Sequence, residues 1–285
     1  MTNTWPYLQD PRHWKTIATR FPKFAEEVPL LVKTLYECFE RTTEFNDQQL
    51  AVFGLGRLCV EDFLEGLVLC ENGLGYAGLK LLRGMYERAV TAEYISTYPN
   101  EAQLFSDYFY VQWKKLADRG RQVYGDDAPV EAEADNLAKY AAVKDKFDLG
   151  ECDKCLMRKQ GGWSKYSLDA LAMKVSNIWK ERFGYAKKAP NQLHRAYLFY
   201  ADLANIHIHA SMFSIRTRLR VGTDGVLAFS ASQEREVEQV LSSAHAMTLV
   251  VIETQNRYFD LGLADRLTQL RAHCAEIWLT GPESN

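Results

Sequence analysis

The sequence predicts an all-α protein, a bundle of about eight helices with one small β-hairpin near 220–230. Three observations carry that prediction. Apolar residues recur at three- and four-residue spacing through nearly every long segment, the period of an α-helix. Proline, glycine and the capping residues Asn and Ser stand between those segments, where helices start and stop. The β-prone residues collect in one place, VGTDGVLAF (221–229), around a turn signal at Asp224-Gly225.

In chain order, Pro29 to Arg41 is expected as a first helix, with proline near its opening turn, where a missing N–H does no harm. Asn46 and Gln49 have the spacing of a capping box for a second, Asp47 to Glu71, which Asn72-Gly73 would end. The third runs from Tyr76 to Thr97 and stops ahead of Pro99. The fourth, Glu101 to Tyr124, is rich in aromatics: Phe105, Tyr108, Phe109, Tyr110 and Trp113. The stretch 118–165 reads as an irregular excursion holding one charged helix, Val130 to Phe147. Helices then follow from Ser167 to Phe183, from Gln192 to Arg218, from Ser230 or Ser232 to Phe259, and from Asp265 to Leu279. The expectation is a single helical domain over 1–285. Residues 1–44 form an N-terminal extension, 45–220 the main part, and 230–285 the C-terminal helices.

Composition narrows the function. With 34 basic and 37 acidic side chains the net charge is −3, so no global field draws the chain onto nucleic acid. Six scattered cysteines and an N-terminus without an apolar signal core lead us to expect a reduced, cytoplasmic protein. No run approaches the ~18 apolar residues of a membrane helix, the nearest being AMTLVVI (246–252). No cofactor is implied.

Two short strings resemble known motifs. Gly73-Leu74-Gly75-Tyr76-Ala77-Gly78 has the G-x-G-x-x-G spacing of a dinucleotide loop, but a helix precedes it where that loop needs a strand. A tight turn between helices, with Gly78 allowing close packing, is the expected role. Cys152 and Cys155 have a zinc-like spacing without a second half-site, so they stand as weak metal candidates and no metal is expected.

Helical constellations say more. Arg83, Glu87, Val90 and Tyr94 form one stripe of the third helix, while Leu81, Leu82, Met85, Ala89 and Ala92 form the opposite one. A helix apolar on two sides is expected inside the protein, which would partly bury the Arg83/Glu87 pair. Arg57, Glu61 and Glu65 repeat the device on the second helix. In LANIHIHASMFSIRTR (203–218), His207 and His209 are two residues apart, roughly 160° around a helix axis, and cannot chelate one ion there. His209 shares a polar stripe with His194, Asp202, Asn205 and Arg216; His207 shares a mostly apolar one with Tyr200 and Leu203. Arg216, Arg218 and Arg220 suit a helix C-terminus, where the dipole favours cations, or an anion-binding ridge if the segment is extended.

The order LLRGMYERAVTAEYI (81–95), an aromatic helix, WSKYSLDALA (163–172) and YLFYADLANIHIHAS (197–211) resembles an uncharacterised bacterial all-helical family. Its members carry L-L-R-x-x-x-E, a Trp-plus-Ser segment and Tyr followed by His-Pro-Ser. The resemblance covers roughly 45–220 and matches Arg83, Glu87 and His209. It departs at Ala210 and Asn205, so either histidine can be the counterpart. More distantly the chain is similar to HEPN helical proteins, many of them metal-independent ribonucleases or nucleotide-binding partners in toxin and phage-defence systems. The Arg-then-His spacing of those ribonucleases is missing here.

Two functions are therefore expected. One is an oligomeric binding or effector module, linked to stress or phage defence. Its polar cleft, with Arg83, Glu87, Tyr108, Asp202, Asn205, His209 and Arg216, would take an RNA or nucleotide-like ligand. The other is an endoribonuclease using His209 or His207 as general acid/base, with Arg83 or Arg216 facing the phosphate.

Overall fold

The computed structural model describes residues 14–40, 44–125, 134–151, 158–160, 162–184, 186, 192–198, 200, 205, 215–216, 218–221, 227–229 and 234–279. Within them the chain is all-α in architecture. The helices are α1 (Lys15–Arg20), α2 (Pro22–Phe39), α3 (Asp47–Glu71), α4 (Gly75–Thr97), α5 (Pro99–Tyr124), α6 (Ala134–Val143), α7 (Leu168–Arg182), α8 (Gln192–Tyr197), α9 (Glu234–Phe259) and α10 (Ala264–Leu279). None of the described helices is long and apolar enough to cross a membrane.

Among the described residues, strand content is confined to two short antiparallel ribbons. Asp148–Glu151 (β1) pairs with Arg158–Gln160 (β2), inside the stretch expected to be irregular. Leu219–Val221 (β3) pairs with Leu227–Phe229 (β4), with Leu219 opposite Phe229. The turn at Asp224-Gly225 lies outside the described residues, and the expected hairpin as such is not established.

Local chemistry explains most helix boundaries. At α3 the capping box forms in both directions: the Gln49 amide donates to Asn46 Oδ1 (2.9 Å) and the Asn46 amide to Gln49 Oε1 (3.0 Å). Helix α2 begins earlier than expected, with Pro22 in its first turn and Pro29 inside it. Packing overrides the breaker there. Phe24, Val28, Leu31 and Leu35 form one continuous buried stripe past Pro29, and the proline ring sits on the exposed side. The expected charged helix shortens to α6, followed by a tighter 3₁₀ turn over Lys144–Phe147.

The chain divides into two compact units. The larger comprises 1–44, 52–96 and 168–285; the smaller comprises 45–51 and 97–167. In the smaller unit Val111, Val143 and Phe147 form a buried cluster between α5 and the α6 turn, with Leu104, Tyr108, Tyr110 and Tyr140 against it. Asp107, buried on α5, meets Lys146 at 2.6 Å.

The larger unit holds the main core: Phe24, Leu31 and Leu35 of α2, Phe63 and Leu67 of α3, Leu82, Met85 and Tyr86 of α4, Leu241 of α9 and Leu270 of α10. The glycine string works as a packing device. Gly73 takes a positive φ of 70° to turn the chain after α3. A Cβ on Gly75 would stand 2.7 Å from Glu236 Cβ, and one on Gly78 2.8 Å from Val240. Helices α4 and α9 thus approach closer than side chains allow.

One histidine belongs to this core. His245 is fully buried, its Nδ1 accepts from Trp278 Nε1 at 3.1 Å, and Phe24 packs on the imidazole at 5.5 Å between ring centroids. Accepting at Nδ1 puts the remaining proton on Nε2, which has no partner among the described residues. Burial pushes the pKa down to about 4.

Two measurements test this core. Gly78→Val should lower stability by about 1–3 kcal/mol through overpacking. Gly54→Ala, in a helix with nothing within 4 Å of the new Cβ, should raise it by about 0.5–1 kcal/mol in urea denaturation. For His245 the native pKa lies below the unfolded value of 6.5, so the unfolded chain takes up the proton first. Its contribution is complete above pH ~6.5 and falls as the pH drops to ~4, by about 3 kcal/mol in all. The urea midpoint of the parent chain should therefore fall more steeply between pH 7 and 5 than that of His245→Gln.

Candidate functional site

The residues singled out from the sequence do not come together as one described cluster. Arg83 and Glu87 form an ion pair at 3.2 Å, but a surface one, with side chains 35% and 50% exposed. The expected burial is corrected here because α4 enters the interior gradually. Its residues 89–96 are all buried, whereas Arg83 and Glu87 precede that run. Arg57 and Glu61 pair similarly at 3.4 Å. Tyr108 belongs to the smaller unit and packs on Phe147 at 5.2 Å. Asn205 is half-buried and Arg216 exposed. His207, His209, Asp202, Cys152 and Cys155 lie outside the described residues.

The flanks of the histidine segment are described, and both touch α4. The Tyr86 hydroxyl donates to the Leu193 carbonyl at 2.6 Å, and the rings of Tyr197 and Tyr200 lie 6.4 and 5.5 Å from that of Tyr86. Downstream, the Arg218 guanidinium stacks on Tyr76 at 4.6 Å. Arg216, Arg218 and Arg220 therefore occupy a helical position, a turn and a strand, which is not a single extended ridge.

A different charge cluster organises the larger unit. Glu93, on the interior half of α4, is 0% exposed. Arg182 Nη1 donates to its Oε1 at 2.8 Å, Arg257 Nη2 reaches both carboxylate oxygens at 3.2 and 3.3 Å, and the Thr254 hydroxyl donates to Oε2 at 2.8 Å. Arg257 Nη2 also reaches the Ser96 hydroxyl. A carboxylate taken out of water is tolerated only when its lone pairs are filled this way.

Sequence supplies each arm locally. Arg182 ends α7, stopped by Gly184 at φ 65°, and Arg257 lies in the last turn of α9, before Gly262 at φ 69°. Cations are favoured at such C-terminal ends. Beside them Glu253 of α9 pairs with Arg271 of α10 at 3.2 Å, and Arg271 lies 5.2 Å from the Phe183 ring. Arg182 and Arg257 remain 22% and 28% exposed, and the buried Arg257 Nε has no hydrogen-bond partner among the described residues. Two guanidinium groups thus share one carboxylate, and both stay partly exposed.

Sequence reasoning missed these residues. The legible signal was Glu93 itself, the lone charge in AVTAEYIS (89–96). Its partners are 89 and 164 residues away and follow no local period. Among the described residues no group of three His, Cys, Asp or Glu side chains could hold a metal.

The fold and this cluster define an all-helical protein whose larger unit is built around a buried carboxylate held by two arginines. The chain belongs to the family of unknown function DUF5677, whose model matches residues 49–226. No curated protein and no solved structure matches it. The matched span contains Glu93 and Arg182, while Thr254 and Arg257 come from the helix beyond it.

Replacing Glu93 by alanine should destabilise the chain by about 3–5 kcal/mol, since two arginines lose their shared partner. Glu87→Ala, which breaks only the surface pair, should change stability by less than about 1 kcal/mol in the same urea titration.

Proposed function

We propose that this chain is a binding module of the effector kind, which recognises a small anionic or nucleotide-like ligand through the guanidinium groups of Arg182 and Arg257. The observation that carries this reading is their attachment to one fully buried carboxylate while both side chains stay partly exposed. Arginines held in place by Glu93 lose little side-chain entropy when an anion arrives, so even a small ligand gains from both. A role in stress response or phage defence rests on the resemblance alone.

This reading relocates the polar site from the half-exposed Arg83/Glu87 pair to the Glu93 cluster. The ribonuclease alternative depends on His207 and His209, and no described contact favours it.

Titration calorimetry with inorganic phosphate and adenosine triphosphate should show binding that weakens as salt rises. Arg257→Met and Arg182→Met should each weaken it tenfold or more, roughly 1.4 kcal/mol, with Arg83→Met unchanged. Absence of binding, or affinity unaltered by both cluster variants, would sink the proposal. Metal-free incubation with total RNA tests the alternative: cleavage that disappears in His207→Ala or His209→Ala would make the protein an enzyme.

A further inference from the structure

Helices α2, α9 and α10 of the larger unit meet in a fixed register. Helix α10 runs antiparallel to α2, since Lys23 meets Glu276, Glu27 meets His273 and Glu37 meets Arg266. It also runs antiparallel to α9, through the contacts of His245 with Trp278 and of Glu253 with Arg271. Helices α2 and α9 are therefore parallel, and the contact of Phe24 with His245 sets Glu27, one turn on, level with Thr248. Polar groups gather at that level without meeting. Glu27 is 7% exposed; its Oε2 lies 2.9 Å from His273 Nδ1, but its buried Oε1 has no hydrogen-bond partner among the described residues. The Thr248 hydroxyl and His245 Nε2, on two fully buried residues one turn apart on α9, are in the same condition. Cys274 of α10 faces the same carboxylate: burial, and after it the Glu27 charge, pushes its thiol up to about 11.

We infer that this level is an internal hydration site, where bound water links Glu27 Oε1, the Thr248 hydroxyl and His245 Nε2. The chemistry of the three groups selects the ligand. A carboxylate oxygen only accepts, the protonated Nε2 only donates, and a hydroxyl does either. A cation would face the Nε2 proton and an anion would face the carboxylate, whereas water donates to one and accepts from the other. Polar atoms left bare in an interior are costly, and internal water making about three hydrogen bonds is the usual remedy. Apolar neighbours close the level on both sides. Phe24 and Trp278, 5.4 Å apart between ring centroids, lie one turn below, and the fully buried Leu31 and Ile252 one turn above. The water would thus join α2 to α9 in a layer that its neighbours keep apolar. This inference is independent of the anion-binding reading.

Two measurements on the full chain test it. Thr248→Val exchanges the hydroxyl for a methyl of the same shape, and the sign of its effect on the urea midpoint is decisive. With water bound, the midpoint should fall, because the water loses a partner; with a bare hydroxyl it would rise, because an unpaired buried group has gone. The loss should also shrink in a Glu27→Met background, by about threefold or more in the unfolding equilibrium constant, since both side chains hold the same water. A midpoint that rises, or a loss equal in the two backgrounds, overturns the inference. A crystal structure of the parent chain, which needs no variant to fold, should show ordered water about 2.7–3.2 Å from both Glu27 Oε1 and Thr248 Oγ1. A dry contact there, a direct hydrogen bond between the two side chains, or a bound ion overturns it as well.

Discussion

The larger unit depends on one carboxylate. Glu93 is placed where water cannot reach it, and helices α7 and α9 each bring a guanidinium to it from a C-terminal end. Ionised groups in such a position do not add stability cheaply, because desolvation offsets most of the attraction between them. What they impose is geometry. Three helices distant in sequence must arrive in register for the carboxylate to be satisfied, and arrangements that slide one helix by a turn leave a charge bare. Hydrophobic packing alone tolerates such slides far better.

Close approach of α4 and α9 makes that register possible. Gly75 and Gly78 remove side chains from the contact, so the two helices meet at Val237 and Val240. Farther along α9, Gln255 donates to the Val52 carbonyl at 2.8 Å and fills the space beside Gly56. Glycines on α3 and α4 thus accommodate a helix that carries His245, Thr254 and Gln255 into the interior. Each of these polar side chains has at least one partner, as buried polar groups generally do.

How much was legible in the sequence follows the range of the interactions. The Asn46–Gln49 box and the Gly73 turn involve neighbours, and both were readable from spacing. Pro29 was misplaced as a helix start because its rule is local, whereas the buried stripe that carries α2 past it is tertiary. The Arg83/Glu87 stripe was judged interior because Val90 and Tyr94 continue it. Burial along α4 changes with distance along the axis, which angular position cannot reveal. Glu93 was overlooked for the same reason that makes it important: Arg182 and Arg257 come from elsewhere in the chain.

Helix α1 shows the same dependence from the other side. At six residues it is too short to persist alone. Its first amides, from Thr16 and Ile17, are instead taken up by the two oxygens of Glu71, at 2.8 and 2.9 Å, from the last residue of α3. The carboxylate does the work of an N-cap from 55 residues away. Helix α1 is therefore conditional on the end of α3: without the Glu71 carboxylate, the Thr16 and Ile17 amides would open to exchange with solvent.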